Sequence, residues 1–265
     1  MLRPVECVHV KRSLRQISAT SFALFEWCPY AWRRQYRQGV SLSWELPDSE
    51  RDDDEETHGG AALGSLTHWI LSEWTKDGMN EAQLDELLYQ NSTLQKIPAK
   101  LRDVWRDKKK INAKNNIRKW LMNFAASDLG VRLRNAQDVR REYRFRVRLD
   151  DATQLAGSID ALSGSDIIDY KITAIKDVPP GLYESQLDFY AYVMHELTGA
   201  ESVNTCLAFL RENRTVNRPV NDFEAVRSRI LRAAEICASG PYNASTNHCG
   251  LCPFRKGCVK NAGIR

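Results

Sequence analysis

Long apolar segments are absent from this 265-residue chain. No apolar run approaches the roughly 20 residues that a helix needs to cross a membrane, which excludes a membrane-spanning helix. The first residues, Met1–Glu6, have no apolar core of the kind found in secretory signal peptides. No Gly-x-x-x-x-Gly-Lys-Ser/Thr sequence is present either, which excludes a P-loop motor within the chain. We therefore expect a cytoplasmic protein without a membrane partner.

A large excess of charge of one sign is also absent, because the net charge is only +4. Its distribution along the chain is nevertheless uneven, since one acidic run occupies residues 48–56. Basic residues recur at 33–34, 108–110 and 140–141, and at the alternate positions Arg144, Arg146 and Arg148. Outside the acidic run the chain is basic, which favours a polyanionic partner. The alternative is that these runs are solvated surface.

Helical periodicity dominates the first half of the chain. Ser18 provides an N-cap for a helix that we expect to continue to about Tyr36. A second helix begins near Ala61, and the pattern is helical again over residues 80–129, which we interpret as a helical insertion. The acidic segment 44–60 lacks periodicity and is predicted to be an exposed, flexible loop.

Strand patterns begin after residue 141. Residues 142–149 alternate strictly between charged and apolar side chains, which indicates a half-buried strand. Two further strands, 155–162 and 166–172, are joined by the turn residues 163–165 and are expected to pair. The remaining predicted elements are a helix at 183–197, a strand at 203–210, and a helix at 221–238 with Asn221 and Glu224 in capping-box spacing.

Two carboxylates and an ammonium group come together in this predicted hairpin. Asp169 and Lys171 share one face of their strand, and Asp160 lies on the strand expected to pair with it. Hydrolysis of a phosphodiester needs a divalent cation, for which Asp160 and Asp169 offer oxygen ligands. Lys171 can orient the attacking water and stabilise charge that develops on the phosphate. The alternative is an exposed ion pair on a polar strand face.

These residues resemble the core of the PD-(D/E)xK nucleases in its RecB-type form. The matching segments are Gly157-Ser158-Ile159-Asp160 and Asp169-Tyr170-Lys171. The resemblance implies an α/β fold with a restriction-endonuclease-like core, in which helices flank a central mixed sheet. An N-terminal helical region precedes this core in the sequence. It also implies that residues 1–265 form a single nuclease domain. Asp169 stands where a glutamate is more frequent, but both side chains are carboxylates.

Three further segments resemble parts of the same family. Gln186 and Tyr190 fit its Gln-x-x-x-Tyr motif, and their spacing places them on one helix face, directed at DNA or at Lys171. Residues 64–68 resemble the Gly-x-x-x-His segment, whose histidine here is His68. The resemblance implies Mg²⁺ or Mn²⁺ held by His68, Asp160 and Asp169, with Lys171, Gln186 and Tyr190 completing the active site.

Glu142 is a further candidate, because it matches the glutamate that often opens the first core strand of this family. Its nearest neighbours in the sequence are arginines, so a structural ion pair is an equal alternative. We therefore rank Glu142 below the other site residues.

Cysteines are concentrated in the C-terminal tail, residues 240–265. Cys249, Cys252 and Cys258 form a Cys-x2-Cys-x5-Cys pattern, and clustered cysteines in a reducing cytoplasm more often hold metal than form disulfides. Three thiolates leave a tetrahedral site incomplete. From the residues alone, both zinc and an iron–sulfur cluster remain open. The candidates for a fourth ligand are Cys7, Cys28, Cys206, Cys237 and His248, of which Cys206 and Cys237 also fit buried free thiols.

The pairing of Cys28-Pro29 with this C-terminal trio resembles the iron–sulfur staple of RecB-type nucleases, among them CRISPR-associated exonucleases and the AddAB B subunit. The resemblance implies a 4Fe–4S cluster held by Cys28, Cys249, Cys252 and Cys258. Such a cluster joins positions 28 and 249, a separation of 221 residues, and so restricts the unfolded chain as a crosslink does. Its implied role is structural.

The function implied by the resemblance is a metal-dependent exonuclease that degrades single-stranded DNA or DNA ends. The implied settings are recombination, repair or CRISPR adaptation in a bacterial, archaeal or phage-infected cell. A phage is one implied source of the protein. A helicase, a recombinase or a CRISPR adaptation protein is the expected partner. The alternative is a non-catalytic DNA-binding or assembly module that keeps the fold and the cluster, against which the intact Asp160, Asp169 and Lys171 argue.

Aromatic residues surround the predicted cluster ligand Cys28. Their rings can stack on nucleic-acid bases, or they can belong to the apolar core. The residues concerned are Trp27, Tyr30, Trp32 and Tyr36.

Overall fold

A six-stranded mixed β-sheet forms the centre of the computed structural model, which describes residues 15–40, 60–107, 111–177, 181–252 and 254–258. The strands are β1 (Arg15–Ile17), β2 (Val139–Arg148), β3 (Thr153–Ser163), β4 (Asp166–Lys171), β5 (Val203–Phe209) and β6 (Arg214–Val220). The predicted acidic loop 44–60, apart from Gly60, lies outside the described residues, as do Cys7 and the basic run 108–110.

Helices cover both faces of this sheet. In chain order they are α1 (Ala19–Trp27), α2 (Pro29–Trp32), α3 (Gly60–Trp74), α4 (Glu81–Tyr89), α5 (Arg102–Arg106), α6 (Ile111–Ala126), α7 (Asp128–Asn135), α8 (Leu182–Thr198) and α9 (Phe223–Ser239). Among the helices described here, none is both long enough and apolar enough to cross a bilayer. The predicted α/β fold, with helices flanking a central mixed sheet, is confirmed.

Strand β3 organises the sheet. It pairs antiparallel with β2 over most of its length, parallel with β1 at its first residues, and antiparallel with β4 at its last. β4 pairs parallel with β5 because the intervening helix α8 returns the chain to the same end of the sheet. β6 then pairs antiparallel with β5. The predicted hairpin of β3 and β4 is confirmed, with its turn at Gly164, where a φ of 60° suits glycine.

Two apolar clusters lie on opposite faces of the sheet. The consecutive β4 residues Ile167 and Ile168 belong to different clusters, as the alternation of side chains along a strand requires. One cluster joins the sheet to α1, α8 and α9, and in it the ring of Phe22 on α1 lies 5.7 Å from that of Phe189 on α8. The other cluster joins the sheet to α3, α4 and α6.

A charged network fixes α8 against its neighbours on the first of these faces. The buried carboxylate of Asp188 on α8 accepts hydrogen bonds from Arg218 on β6 and, at 2.7 Å, from Arg229 on α9. Arg229 also donates to Glu26 on α1, at 2.6 Å. Asp188 thus links α8 to β6 and α9, and the Arg229–Glu26 pair extends this network to α1.

The first predicted helix is interrupted. Ser18 caps α1 as expected, because its side chain accepts a hydrogen bond from the Ser21 amide, but the helix ends at Trp27 and does not continue to Tyr36. Pro29 begins α2 instead, since proline lacks the N–H group that a continuous helix needs and suits the first helical position. A π-helical turn, Arg33–Arg37, completes this region.

The predictions missed two strands and misplaced one cap. β1 has only three residues, and six of the seven residues of β6 are at least partly exposed, so neither shows the alternation of a half-buried strand. The cap of α9 is Asp222, not Asn221, because the Asp222 side chain accepts from the amide of Ala225. Region 80–129 is helical through α4, α5 and α6, while its status as an insertion stays a prediction, as do the other domain boundaries.

Candidate active site and cysteine cluster

The predicted active-site residues converge from five elements of the fold. They are His68 on α3, Glu142 on β2, Asp160 on β3, Asp169 and Lys171 on β4, and Gln186 and Tyr190 on α8. The structure brings them into two adjoining groups, one that faces α3 and one that faces α8.

The first group contains His68, Glu142 and Asp160. Each offers one nitrogen or oxygen atom, and these atoms lie within 4.8 Å of one another. His68 Nδ1 is 3.2 Å from Asp160 Oδ1, while Asp160 Oδ2 accepts a hydrogen bond of 2.8 Å from the Tyr170 amide. One imidazole and two carboxylates form a donor set that suits a hard divalent cation. These side chains therefore fit the Mg²⁺ or Mn²⁺ that the sequence predicts.

The backbone of β2 explains how Glu142 reaches this group. The pairs Arg141↔Ala161 and Tyr143↔Ile159 bracket the site, so Glu142 lies opposite Asp160 across the two strands. Like charges at directly opposed positions destabilise a sheet. Glu142 also has a φ of 48°, a strained value for a residue with a side chain. A cation between the two carboxylates would offset their repulsion, which makes this opposed pair a second sign of a metal site.

Burial and neighbouring charges set the ionisation of this group. Desolvation opposes protonation of His68, but the Asp160 carboxylate outweighs it and raises the His68 pKa. Desolvation also opposes ionisation of Asp160, yet the charge of His68, aided by Lys171, keeps its pKa below the usual value. Desolvation, followed by the Asp160 charge, raises the pKa of Glu142. The carboxylates of Glu142 and Asp160 thus lie close enough for their charges to interact, and His68 and Lys171 are the positive charges that stabilise the Asp160 carboxylate.

The second group is a hydrogen-bonded chain that runs from β4 to α8. Lys171 Nζ lies 2.6 Å from Asp169 Oδ2 and donates to Gln186 Oε1 at 3.1 Å. Gln186 Nε2 faces Asp169 Oδ1 at 3.4 Å and Tyr190 Oη at 3.2 Å. Burial alone would lower the pKa of Lys171, but Asp169 raises it, so the ammonium form is retained. Gln186 thus contacts Lys171 directly, while Tyr190, one helical turn further along α8, contacts Gln186.

Asp169 lies beside the first group and not within it. Its carboxylate contacts Lys171 and Gln186, whereas the close set of possible ligand atoms among the described residues is formed by His68, Glu142 and Asp160. The assignment of Asp169 as a metal ligand stays a prediction.

Two contacts of the site residues were not predicted from the sequence. The Glu142 carboxylate accepts a hydrogen bond of 3.2 Å from Ser158. Alignment of the strands β2 and β3 as a hairpin, with residue 142 opposite residue 160, is the sequence signal that could have located Glu142. Tyr183 presents its ring 4.4 Å from Lys171 Nζ. No motif marked Tyr183, although it lies one helical turn before Gln186 on α8.

The family model of the PD-(D/E)XK nuclease superfamily matches residues 16–259. The chain belongs to this superfamily. Members of the PD-(D/E)XK superfamily are typically metal-dependent nucleases. The solved structure described as the crystal structure of SSO0001 is similar, with a TM-score of 0.43 and 16% identity over 95% of this chain and 89% of that chain. No curated protein matches the chain.

In this PD-(D/E)XK superfamily member, four cysteines from opposite ends of the chain are neighbours. Cys28 Sγ accepts from the Ser245 amide at 3.4 Å, and Cys249 Sγ lies 3.7 Å from the Ser245 carbonyl oxygen. Burial raises the pKa of Cys252, and the nearby thiols of Cys28, Cys258 and Cys249 raise it further against a hydrogen bond from the Phe254 backbone. Cys28 and Cys249 thus both lie beside Ser245, and the thiols of Cys28, Cys249 and Cys258 are near enough to influence Cys252.

The other candidate ligands lie in different surroundings. Burial raises the pKa of Cys206 on β5 to about 11 and that of Cys237 on α9 to about 12. His248 stacks on Trp27, with ring centroids 5.4 Å apart. The six cysteines in the described part of the chain are free of disulfides. Cys206 is thus a buried thiol on β5 and Cys237 a partly buried thiol on α9.

The aromatic residues near Cys28 mostly face other protein groups. Trp32 lies between Tyr36 and Tyr242, with ring centroids at 5.8 and 5.9 Å. Trp27 is buried, and Tyr30 donates its hydroxyl to the Gly257 carbonyl. Tyr36 is 41% exposed, which makes it the most accessible of these four aromatic residues.

Proposed function

We propose that this chain is a divalent-metal-dependent deoxyribonuclease of RecB type, an exonuclease that acts on single-stranded DNA or DNA ends. The observation that carries the proposal is the opposed pair of Glu142 and Asp160, joined by His68 and adjoined by the Lys171–Asp169 pair. Membership of the PD-(D/E)XK superfamily supports the same chemistry.

His68, Asp160 and Asp169 would hold Mg²⁺ or Mn²⁺, with Glu142 as an additional ligand. A bound divalent ion supplies charge neutralisation at the phosphate and a lower pKa for the attacking water. Lys171 orients that water and stabilises negative charge on the phosphate, since its ammonium is kept in place by Asp169 and Gln186. Tyr190 holds the Gln186 amide in turn.

We further propose that Cys28, Cys249, Cys252 and Cys258 hold a 4Fe–4S cluster with a structural role. Thiolates are the ligands that such clusters require, and the four side chains share one region while Cys206 and Cys237 do not belong to it. The cluster would fix the end of α1 to the C-terminal tail.

The biological setting follows from the resemblance to CRISPR-associated exonucleases and the AddAB B subunit. We propose that the protein processes DNA in recombination, repair or CRISPR adaptation, in the cytoplasm of a bacterial, archaeal or phage-infected cell. Its partner would be a helicase, a recombinase or a CRISPR adaptation protein.

A cleavage assay with end-labelled linear and circular single-stranded DNA, and with duplex DNA, tests the nuclease proposal. With Mg²⁺ or Mn²⁺, we expect degradation of linear single strands and survival of circles. Asp160→Asn and Lys171→Ala should each lower the rate at least about a hundred-fold. Asp166→Asn on the same strand as Lys171 is a matched control, because Asp166 pairs with Arg132 outside the site. Wild-type protein without cleavage would favour the non-catalytic DNA-binding or assembly module. Unchanged rates in both variants would contradict the assignment of Asp160 and Lys171 to catalysis.

Metal analysis after anaerobic purification tests the cluster. We expect iron and acid-labile sulfide in the wild type, and their loss in Cys28→Ala. Cys237→Ala is the control, since this thiol lies on α9 outside the four-cysteine region. Stoichiometric zinc without iron would contradict the assignment.

A further inference from the structure

One face of β2 carries a row of arginines. Arg144, Arg146 and Arg148 alternate along the strand and are all exposed, while Phe145 and Val147 between them are buried. Because side chains two positions apart share one face of a strand, the three guanidinium groups project from the same side, with backbone steps of about 7 Å. We call these three residues the arginine row.

The arginine row begins at the candidate metal site. Arg144 pairs in register with Ser158 on β3, and the Ser158 hydroxyl donates to Glu142 at 3.2 Å. The positive charge of Arg144 also opposes the rise in the pKa of Glu142. The row is therefore continuous with the group formed by His68, Glu142 and Asp160, and it leads away from that group along β2.

Internal ion pairing does not account for this row. Within the described part of the chain, the one carboxylate paired with it is that of Asp151, 3.2 Å from Arg148 and fully exposed. An ion pair so exposed contributes little to stability. Three neighbouring like charges repel one another on a sheet, and the phosphates of a polynucleotide would compensate them.

We propose that the arginine row binds successive phosphates of the DNA strand that is cut, on one side of the scissile bond. This inference rests on the proposed nuclease function. It adds to the active site a surface that binds the DNA backbone, which we call the track. The regular steps of the row match a ligand with regularly repeated negative charge, and its continuity with Glu142 places that ligand at the metal site. The base edges are not read, so the row binds every sequence alike.

The salt dependence of binding tests this track. Affinity of the full-length protein for a fluorescent oligothymidylate is measured in EDTA over a range of salt concentrations, so that no cleavage occurs. For the triple variant Arg144→Gln, Arg146→Gln, Arg148→Gln, the slope of log affinity against log salt should fall by about 2, since each phosphate contact to a single strand contributes about 0.7. Affinity near 0.1 M salt should fall roughly a hundred-fold.

A triple variant with the same charge change elsewhere is the matched control. Arg106→Gln, Arg134→Gln and Arg232→Gln alter exposed arginines on α5, α7 and α9, and should leave the slope nearly unchanged. Replacing the row by lysines should restore most of the slope, because the charges remain. Equal losses in the row and control variants would overturn the track, as would an unchanged slope in the row variant.

This result is separable from that of the nuclease proposal. Protein that binds through the row but never cleaves DNA with Mg²⁺ or Mn²⁺ would contradict the nuclease function alone. Protein that cleaves DNA while the row variant binds normally would contradict the track alone.

Discussion

The active-site region and the cysteine region are both suited to metals, but the chain builds them in different ways. His68, Glu142 and Asp160 present nitrogen and oxygen atoms from a helix and two paired strands. The cysteines come from the break between α1 and α2 and from short turns near the C-terminus, Cys249–Leu251 and Arg255–Gly257. Hard oxygen ligands suit Mg²⁺ or Mn²⁺, whereas thiolates suit iron–sulfur clusters or zinc.

The two regions obtain their geometry from different features of the fold. Strand pairing alone aligns Glu142 with Asp160, so the active site is preorganised by the sheet. Nothing in the local backbone brings Cys28 to Cys249, and their proximity depends on closing most of the chain. We therefore expect the cysteine region to govern stability and the active-site region to govern catalysis.

We expect the largest effect at Cys28, where it tests whether the cysteine region governs stability. Cys28→Ser should lower the free energy of unfolding by about 4 kcal/mol, the amount typical of a crosslink that closes a long loop. Anaerobic chemical denaturation followed by circular dichroism measures this loss. Cys237→Ser is the control and should cost far less; equal losses would show that the four-cysteine region has no special role in stability.

A smaller and two-sided effect is expected at Glu142. Glu142→Gln should lower the cleavage rate by about 10- to 100-fold, because it removes a candidate metal ligand. Without divalent ions, the same change should stabilise the fold by about 0.5 kcal/mol, since it removes the repulsion with Asp160. Parallel kinetics and denaturation in EDTA measure both quantities. A loss of stability in EDTA would contradict the inference that Glu142 and Asp160 repel each other when no cation lies between them.

The smallest effect is expected at Tyr190. Tyr190→Phe removes the hydroxyl that holds Gln186, but the contacts of Gln186 with Asp169 and Lys171 remain. The cleavage rate should therefore fall only about three- to ten-fold, in line with the loss of one hydrogen bond. Single-turnover kinetics measures it, with Tyr192→Phe on the same helix as control. A drop of more than a thousand-fold would mean that Tyr190 acts directly on the DNA.

The predictability of these elements depended on local signals. β2 follows from strict alternation, and β3 and β4 follow from the turn residues between them; the boundaries of all three were found within a few residues. β6 could not be found in this way, because its exposed, polar residues form a strand only through pairing with β5. Pro29 itself is a local signal for the break, but the helical periodicity of the apolar residues on both sides of it predicted one continuous helix.

The same distinction applies to the candidate site. His68, Asp160 and Lys171 stood in recognisable motifs and lie together. Glu142 was ranked last because its sequence neighbours are arginines, whereas its decisive neighbour is Asp160, which lies across the sheet. The contact of Tyr183 with Lys171 depends on tertiary packing and left no pattern in the sequence. The thiols near Cys252, by contrast, were marked by the Cys-x2-Cys-x5-Cys pattern and its resemblance.

Helix α1 gives the two contrasted regions a common mechanical element. It ends next to Cys28, and its Phe22 ring rests on Phe189 of α8, the helix that carries Gln186 to Lys171. Closely packed interiors transmit displacement with little compression. Helix α1 therefore joins the cysteine region to α8 through one aromatic contact, and α8 in turn contacts Lys171 through the Gln186 amide.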